Sequence, residues 1–260
     1  MNKLDKLRVR RSFSAAVDSY DSMSGLQQQV ARNLVQQTGV PHAAERILDL
    51  GCGTGFLSHL LLEKTAASQL WVVDIALPML NKTRHKTVVK EVIPVCADAE
   101  ALPFFTSTFS HIYSSLALQW CPNLPDVLKD LNRILVESGR LSFATFGPAT
   151  LQELKQAWRQ VDDYSHVNDF YSEYEIRQWL KMAGFKQVHM HSVIYRNQYP
   201  DVMSLMKELK GIGARNALSG RNRKLTTRSQ LQKMIRHYPL QEDGSVNASY
   251  EIIFVNAVST

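Results

Sequence analysis

Leu48-Asp49-Leu50-Gly51-Cys52-Gly53-Thr54-Gly55 decides the fold of this 260-residue chain. Arg46 to Leu50 is a short apolar run of strand length that enters the glycines directly, and Phe56 to Lys64 beyond them has the apolar density of a packed helix. Glycines at a strand-to-helix junction let a ligand approach the backbone closely, while the helix amino terminus offers unpaired N–H groups. The loop reads Gly-x-Gly-x-Gly with an acid two residues before it, not Gly-x-Gly-x-x-Gly, which disfavours pyrophosphate binding.

Outward from the loop, strand and helix alternate. Gln69–Asp74 reads as a second strand, and Pro78 marks the first turn of the next helix. Glu91–Cys96 and Phe109–Ser114 read as strands, with a helix at Pro122–Leu135 before the strand Arg140–Phe146. Five alternations predict an α/β, doubly wound, mostly parallel sheet. Towards the amino terminus, Phe13–Gln37 has helical spacing with a Leu26, Val30, Leu34 stripe that ends by Pro41. Towards the carboxyl terminus, helices are expected at Thr150–Val161 and Ser172–Ala183, the latter stopped by Gly184. A strand is expected at Gln187–Tyr195, helices over Pro200–Tyr238 and a last strand at Tyr250–Val258. The chain is therefore expected to be one domain, 1–260. Residues 1–40 form a helical cover, 41–199 the core, 200–238 a basic helical insertion and 239–260 the final strand.

Asp74 ends the second strand 19 residues beyond Gly55, where an acid can take both hydroxyls of an adenosine ribose. Asp98 follows the third strand and can accept from an adenine amino group. This pattern resembles the class I S-adenosylmethionine-dependent methyltransferases, whose sheet has seven strands. The resemblance implies that Asp49 and the Gly51, Cys52, Gly53 and Gly55 turn face the methionine and ribose part of the cofactor. It places Met79 near the adenine, with Ile75 and Ala99 beside the two acids. Ile75 departs from the small polar residue usual after the ribose acid.

Less common pieces are more specific. Ser12-Phe13-Ser14-Ala15-Ala16 with Tyr20-Asp21, Leu116-Ala117-Leu118-Gln119-Trp120-Cys121, and Phe143-Ala144-Thr145-Phe146-Gly147-Pro148 are three of them. His166-Val167-Asn168 and Leu209-Lys210-Gly211-Ile212-Gly213-Ala214 are two more. Together they resemble, almost end to end, the biotin-pathway malonyl-acyl-carrier-protein O-methyltransferases. The resemblance implies methyl transfer from S-adenosylmethionine to the free carboxylate of a malonyl thioester on acyl carrier protein. A carboxylate with a pKa near ~4 is ionised at neutral pH and needs no general base. A closed pocket with modest donors is expected, without a catalytic triad. Tyr20, His166 and Asn168 are its candidate catalytic residues, Tyr20 also covering the cofactor, with Leu116 and Trp120 as further cofactor walls.

The net charge is +6, but it is unevenly placed. Residues 1–11 carry +4 and residues 200–238 carry +7, which leaves −5 for the remainder. Such basic appendages suit an acidic partner. Lys210, Arg215, Arg221 and Arg228 are the candidates for contact with the carrier protein or its phosphopantetheine, since guanidinium groups match phosphate geometry. A nucleic-acid methyltransferase also fits a basic chain. However, Ser114-Ser115-Leu116-Ala117 stands where an Asn/Asp-Pro-Pro-Tyr run is usual, and Cys121-Pro122 reverses the order of a Pro-Cys nucleophile. A cofactor-binding factor without enzymatic activity, or a methyltransferase for another small carboxylate, also remains open at this point. Three cysteines suit reduced thiols, and Ser12, Ser14 and Asp18 interrupt any signal-peptide core, so a cytoplasmic protein is expected. No apolar run approaches the roughly 20 residues of a membrane span. His189 and His191 share a strand face without a third ligand, so no metal site is expected. A monomer is expected.

Overall fold

The computed structural model describes residues 4–40, 46–65, 69–86, 92–214 and 226–260. Asp5 caps the first helix, α1 (Lys6–Ala16), by accepting the Arg8 N–H at 3.1 Å. One helical turn, α2 (Tyr20–Met23), then leads into α3 (Gly25–Thr38), whose Leu26, Val30 and Leu34 are buried. The helical stretch expected over Phe13–Gln37 is thus broken into three pieces. Ser19 donates its hydroxyl to the carbonyls of Ala16 and Gly211, and Ser24 donates to Asp21, local bonds that compete with a continuous helix.

The alternating region follows as β1 (Arg46–Leu50), α4 (Phe56–Lys64), β2 (Gln69–Asp74), α5 (Leu77–Lys86) and β3 (Val92–Cys96). It continues through β4 (Phe109–Ser115), α6 (Leu124–Ile134) and β5 (Leu135–Phe146). Next come α7 (Gln152–Arg159), α8 (Glu173–Met182), β6 (Lys186–Tyr199), α9 (Val202–Gly211), α10 (Arg228–His237) and β7 (Val246–Val258). β5 begins before the expected Arg140 because Leu135 already pairs with Phe109, across an irregularity between Phe109 and His111. β6 and β7 likewise extend each other, pairing out to Tyr199 opposite Val246.

The seven strands lie in the order β3-β2-β1-β4-β5-β7-β6. The first five are parallel, and β7 runs antiparallel to both of its neighbours. Helices cover both faces of the centre. Ile47 packs in a cluster with Ala31, Val35, Leu57 and Leu61, while Leu48 and Leu50 join Leu124, Leu128 and Leu131. That two-sided burial is why β1 reads as an apolar run and not as an alternating strand. Strand order reverses between β1 and β4, and in open α/β sheets this switch point opens a crevice beyond the carboxyl ends of the strands. α9 and α10 stand between β6 and β7 in the chain. Cys52, Cys96 and Cys121 are free thiols, and no helix among the described residues is long and apolar enough to cross a membrane.

Candidate active site

The glycine loop is built at the switch point. The Gly51 and Cys52 N–H groups both donate to the Val73 carbonyl, at 2.7 and 2.9 Å, which pins the loop to β2. Gly51 has φ +76°, and a Cβ there would lie 2.2 Å from the Ala117 side chain, so glycine is required on steric grounds twice over. Gly53, at φ +55°, donates its N–H to Asp74 Oδ2 at 2.9 Å, and Ala76 donates to Asp74 Oδ1 at 2.8 Å. Burial nonetheless pushes the Asp74 carboxyl up to about 6, against those two backbone donors. Asp49 is fully buried behind the loop, where burial, opposed by the Ser58 hydroxyl at 2.5 Å, raises it to about 7.

Two cavities meet in front of this loop. A narrow cleft of about 90 Å³ runs past Gly51, Gly53, Asp74, Ile75, Met79, Asp98 and Ala99. A larger one of about 900 Å³ extends between β5, α7, β7 and α9. Phe13, Tyr20, Leu116 and Trp120 line both and form the partition. Phe13 and Trp120 meet edge to face at 5.4 Å. Leu116 holds φ +51°, a strained value for a branched residue, and its N–H donates to Ala144.

α1 and α2 roof the narrow cleft. Lys6 reaches Asp98 Oδ2 at 2.7 Å and also pairs with Glu100. Asp21 accepts the Thr54 hydroxyl and pairs with Lys82 and Lys86, which ties α2 to the loop and to α5. Tyr20 is thereby set over Gly53, its hydroxyl 3.9 Å from where a Cβ would stand. Desolvation foremost, then the nearby Asp74 and Asp21, push the Tyr20 phenol up, so it remains a proton-bearing donor at any physiological pH.

A family model described as "Methyltransferase domain" matches residues 48–143, the segment that carries this loop. The chain is 39% identical to the malonyl-(acyl-carrier protein) O-methyltransferase of Methylococcus capsulatus, over 96% of this chain and 92% of that one. It is 35% identical to the protein of the same name from Gallionella capsiferriformans, over 98% of this chain and 91% of that one. The chain belongs to the malonyl-acyl-carrier-protein O-methyltransferase family. The fold is also that of the YcgJ protein of Bacillus subtilis, with a TM-score of 0.66 at 17% identity, covering 89% of this chain and 98% of that one.

The residues of this methyltransferase singled out from sequence that the structure describes fall into five places. Gly51, Gly53, Asp74, Ile75, Met79, Asp98 and Ala99 surround the narrow cleft, and Tyr20, Leu116 and Trp120 stand on the partition. His166, Asn168 and Lys210 line the large cavity. Asp49 and Gly55 are set behind the loop, Gly55 as the cap of α4 against Thr83, and the Cys52 thiol is turned to Thr83 at 3.7 Å. Arg228 is exposed at the start of α10 and lines neither cavity, while Arg215 and Arg221 lie outside the described residues.

Lys6, Phe13 and Ser115 also belong to the site, although in the sequence Phe13 and Ser115 stand out only as parts of quoted motifs and Lys6 only as part of the basic amino-terminal segment. The Ser115 hydroxyl lies in the wall of the narrow cleft, buried and without a hydrogen-bond partner among the described residues, and Asp49 Oδ1 is orphaned in the same way. A cleft with an acid at Asp74, an unsatisfied hydroxyl at Ser115, and an apolar floor of Val73, Met79 and Leu118 suits a nucleoside that also carries a polar, cationic arm. S-adenosylmethionine has that chemistry.

Proposed function

We propose that this chain methylates the free carboxylate of a malonyl group carried as a thioester on acyl carrier protein, with S-adenosylmethionine as methyl donor. The observation that carries this reading is the pair of cavities meeting at one partition. The nucleoside cleft and a cavity ten times larger share Tyr20, Phe13, Leu116 and Trp120, so donor and acceptor would touch only there. The large cavity is mostly apolar, as a pantetheine arm requires, and the exposed Lys207 and Lys210 line it from α9. The full-length family relationship supports the substrate class.

Asp74 would hold the ribose hydroxyls and Met79 the adenine edge, while Ser115 and the glycine loop take the polar arm. Bound S-adenosylmethionine supplies an electrophilic methyl on a sulfonium. The chain has no proton to abstract, because the acceptor carboxylate is already ionised. Its work is to align and to dry the site. Carboxylate and sulfonium charges cancel as the methyl passes, so a surrounding that excludes water disfavours the reactants more than the transition state. Phe13, Leu116 and Trp120 supply that surrounding. Holding oxygen, carbon and sulfur in line contributes up to about 7–11 kcal/mol. Tyr20, its phenol keeping its proton, would donate to orient the acceptor or the donor arm at the partition.

Labelled S-adenosylmethionine incubated with malonyl carrier protein, malonyl-coenzyme A and RNA tests the reading. Label is expected in a base-labile ester on the malonyl carrier protein; label on RNA, or on none of the three, would overturn it. Tyr20→Phe is expected to lower turnover by about tenfold, the scale of one lost hydrogen bond, with cofactor affinity nearly unchanged.

A further inference from the structure

The wall of the large cavity holds a group that packing alone does not explain. Between α7 and α8, the His166 ring lies flat on the Trp158 indole, with centroids 3.7 Å apart and planes within 7°. His166 Nε2 is 2.8 Å from Asp162 Oδ1, and both side chains are only 14% exposed. The Tyr164 N–H donates to the same Asp162 oxygen at 3.1 Å, which fixes the carboxylate in turn. His166 Nδ1 has no hydrogen-bond partner among the described residues. Close by in sequence and on the same cavity wall, Asn168 is 7% exposed and its Oδ1 is buried without a partner among the described residues. Either orientation of that carboxamide leaves a polar atom for a ligand.

We propose that His166 seats the malonyl carboxylate, with Asp162 and Trp158 as positioning residues that hold the ring ready to receive it as an imidazolium. The proposal rests on the malonyl-thioester reading above. A histidine with a carboxylate at each nitrogen needs an N–H on both. Asp162 occupies Nε2, so a second carboxylate at Nδ1 completes the pair, and a neutral ring must take up one proton as the substrate arrives. The indole face then lies against a cation, a favourable contact for either charge carrier of this kind.

The other charged groups of this wall are differently engaged. Asp201, Lys207 and Lys210 are exposed, and Glu208 accepts from the Tyr199 hydroxyl at 2.7 Å. Tyr20 and Tyr250 add only phenols. One substrate oxygen is held by the ring while the other attacks. The oxygen–methyl bond forms, the sulfur–methyl bond breaks, and its electron pair stays on sulfur. The ester has lost the negative charge, so the ring no longer pairs with it and returns its proton to solvent as the ester departs. Discrimination of substrate from product is thereby built into the site.

The test is calorimetric titration of malonyl-pantetheine into the S-adenosylhomocysteine-loaded enzyme in buffers of differing ionisation enthalpy. It is run at about pH 8. Wild type is expected to take up close to one proton, and the neutral amide and methyl-ester analogues none. His166→Gln is expected to abolish the uptake and weaken malonyl-pantetheine by about tenfold or more, the scale of a charge-assisted hydrogen bond. Asp162→Asn should reduce both effects and Asp162→Glu partly restore them. Binding by wild type without uptake would overturn the proposal, as would equal losses for charged and neutral ligands in His166→Gln. A parallel loss of S-adenosylhomocysteine affinity would mark a merely structural role and overturn it too. Failure of wild type to bind or methylate the malonyl thioester at all would instead strike the underlying reading.

Discussion

Asp74 joins the sequence reading to the chemistry at the smallest scale. Its folded-state value of about 6 lies above the ordinary 3.8, whereas ribose hydroxyls donate to, and so favour, its ionised form. Cofactor affinity should therefore be full above about pH 6 and fall below it, approaching tenfold per unit. Asp74→Asn should bind weakly with little dependence on pH, as titration with S-adenosylhomocysteine across this range will show. The sign for stability is opposite. Asp49 and Asp74 bind protons more tightly folded than unfolded, so their contribution is fully present below about pH 3.8 and is lost as pH rises through about 6 to 7. Asp74 and the glycines are legible in sequence because their meaning is local, an acid at a strand end and φ values that only glycine takes easily. Lys6 is not, because it acquires its meaning from a partner brought near by folding. Lys6 meets Asp98 across 92 residues.

Helices α1 and α2 carry the next scale. A cleft of about 90 Å³ is smaller than the roughly 300–1,000 Å³ typical of sites for molecules of cofactor size, so α1 and α2 are expected to lift when a nucleoside enters. Lys6 with Asp98 and Glu100, and Asp21 with Thr54, Lys82 and Lys86, are the two fastenings. Lys6→Ala should release the first. Amide hydrogen exchange is expected to quicken in α1, while overall stability changes by less than about 1 kcal/mol, as for other partly exposed pairs. Unchanged exchange in α1 would show that Phe13 and Met79 packing alone holds the roof. Helical periodicity announced this region but not its division, since the breaks at Ser19 and Ser24 depend on hydroxyl-to-carbonyl bonds that no hydrophobic pattern records. Strand edges were legible only where pairing partners end together, hence the longer β5, β6 and β7.

Across the whole molecule, the net +6 resolves into two basic segments around a body of −5. The described parts of those segments, α1 and the α9–α10 region, include the roof of the narrow cleft and a wall of the large cavity. If these segments meet an acidic carrier, added salt should raise KM for malonyl carrier protein several-fold between about 50 and 500 mM while leaving kcat nearly constant. A small malonyl thioester should show little change, and equal salt effects on both substrates would remove the electrostatic docking role. The order of elements was legible at this scale because alternation of strand and helix permits few topologies. The antiparallel placement of β7 was not, since its own residues carry no mark of direction. That placement also has a temporal side. β6 sits at the sheet's edge with β7 as its one sheet neighbour among the described strands, and β7 follows the other six in the chain. Until β7 leaves the ribosome, β6 has nothing to pair with among those strands and the large cavity lacks the wall that Tyr250 provides. A chain stalled short of β7 can thus assemble its nucleoside loop yet have nowhere to put an acyl group, so acceptor recognition is acquired after nucleoside recognition.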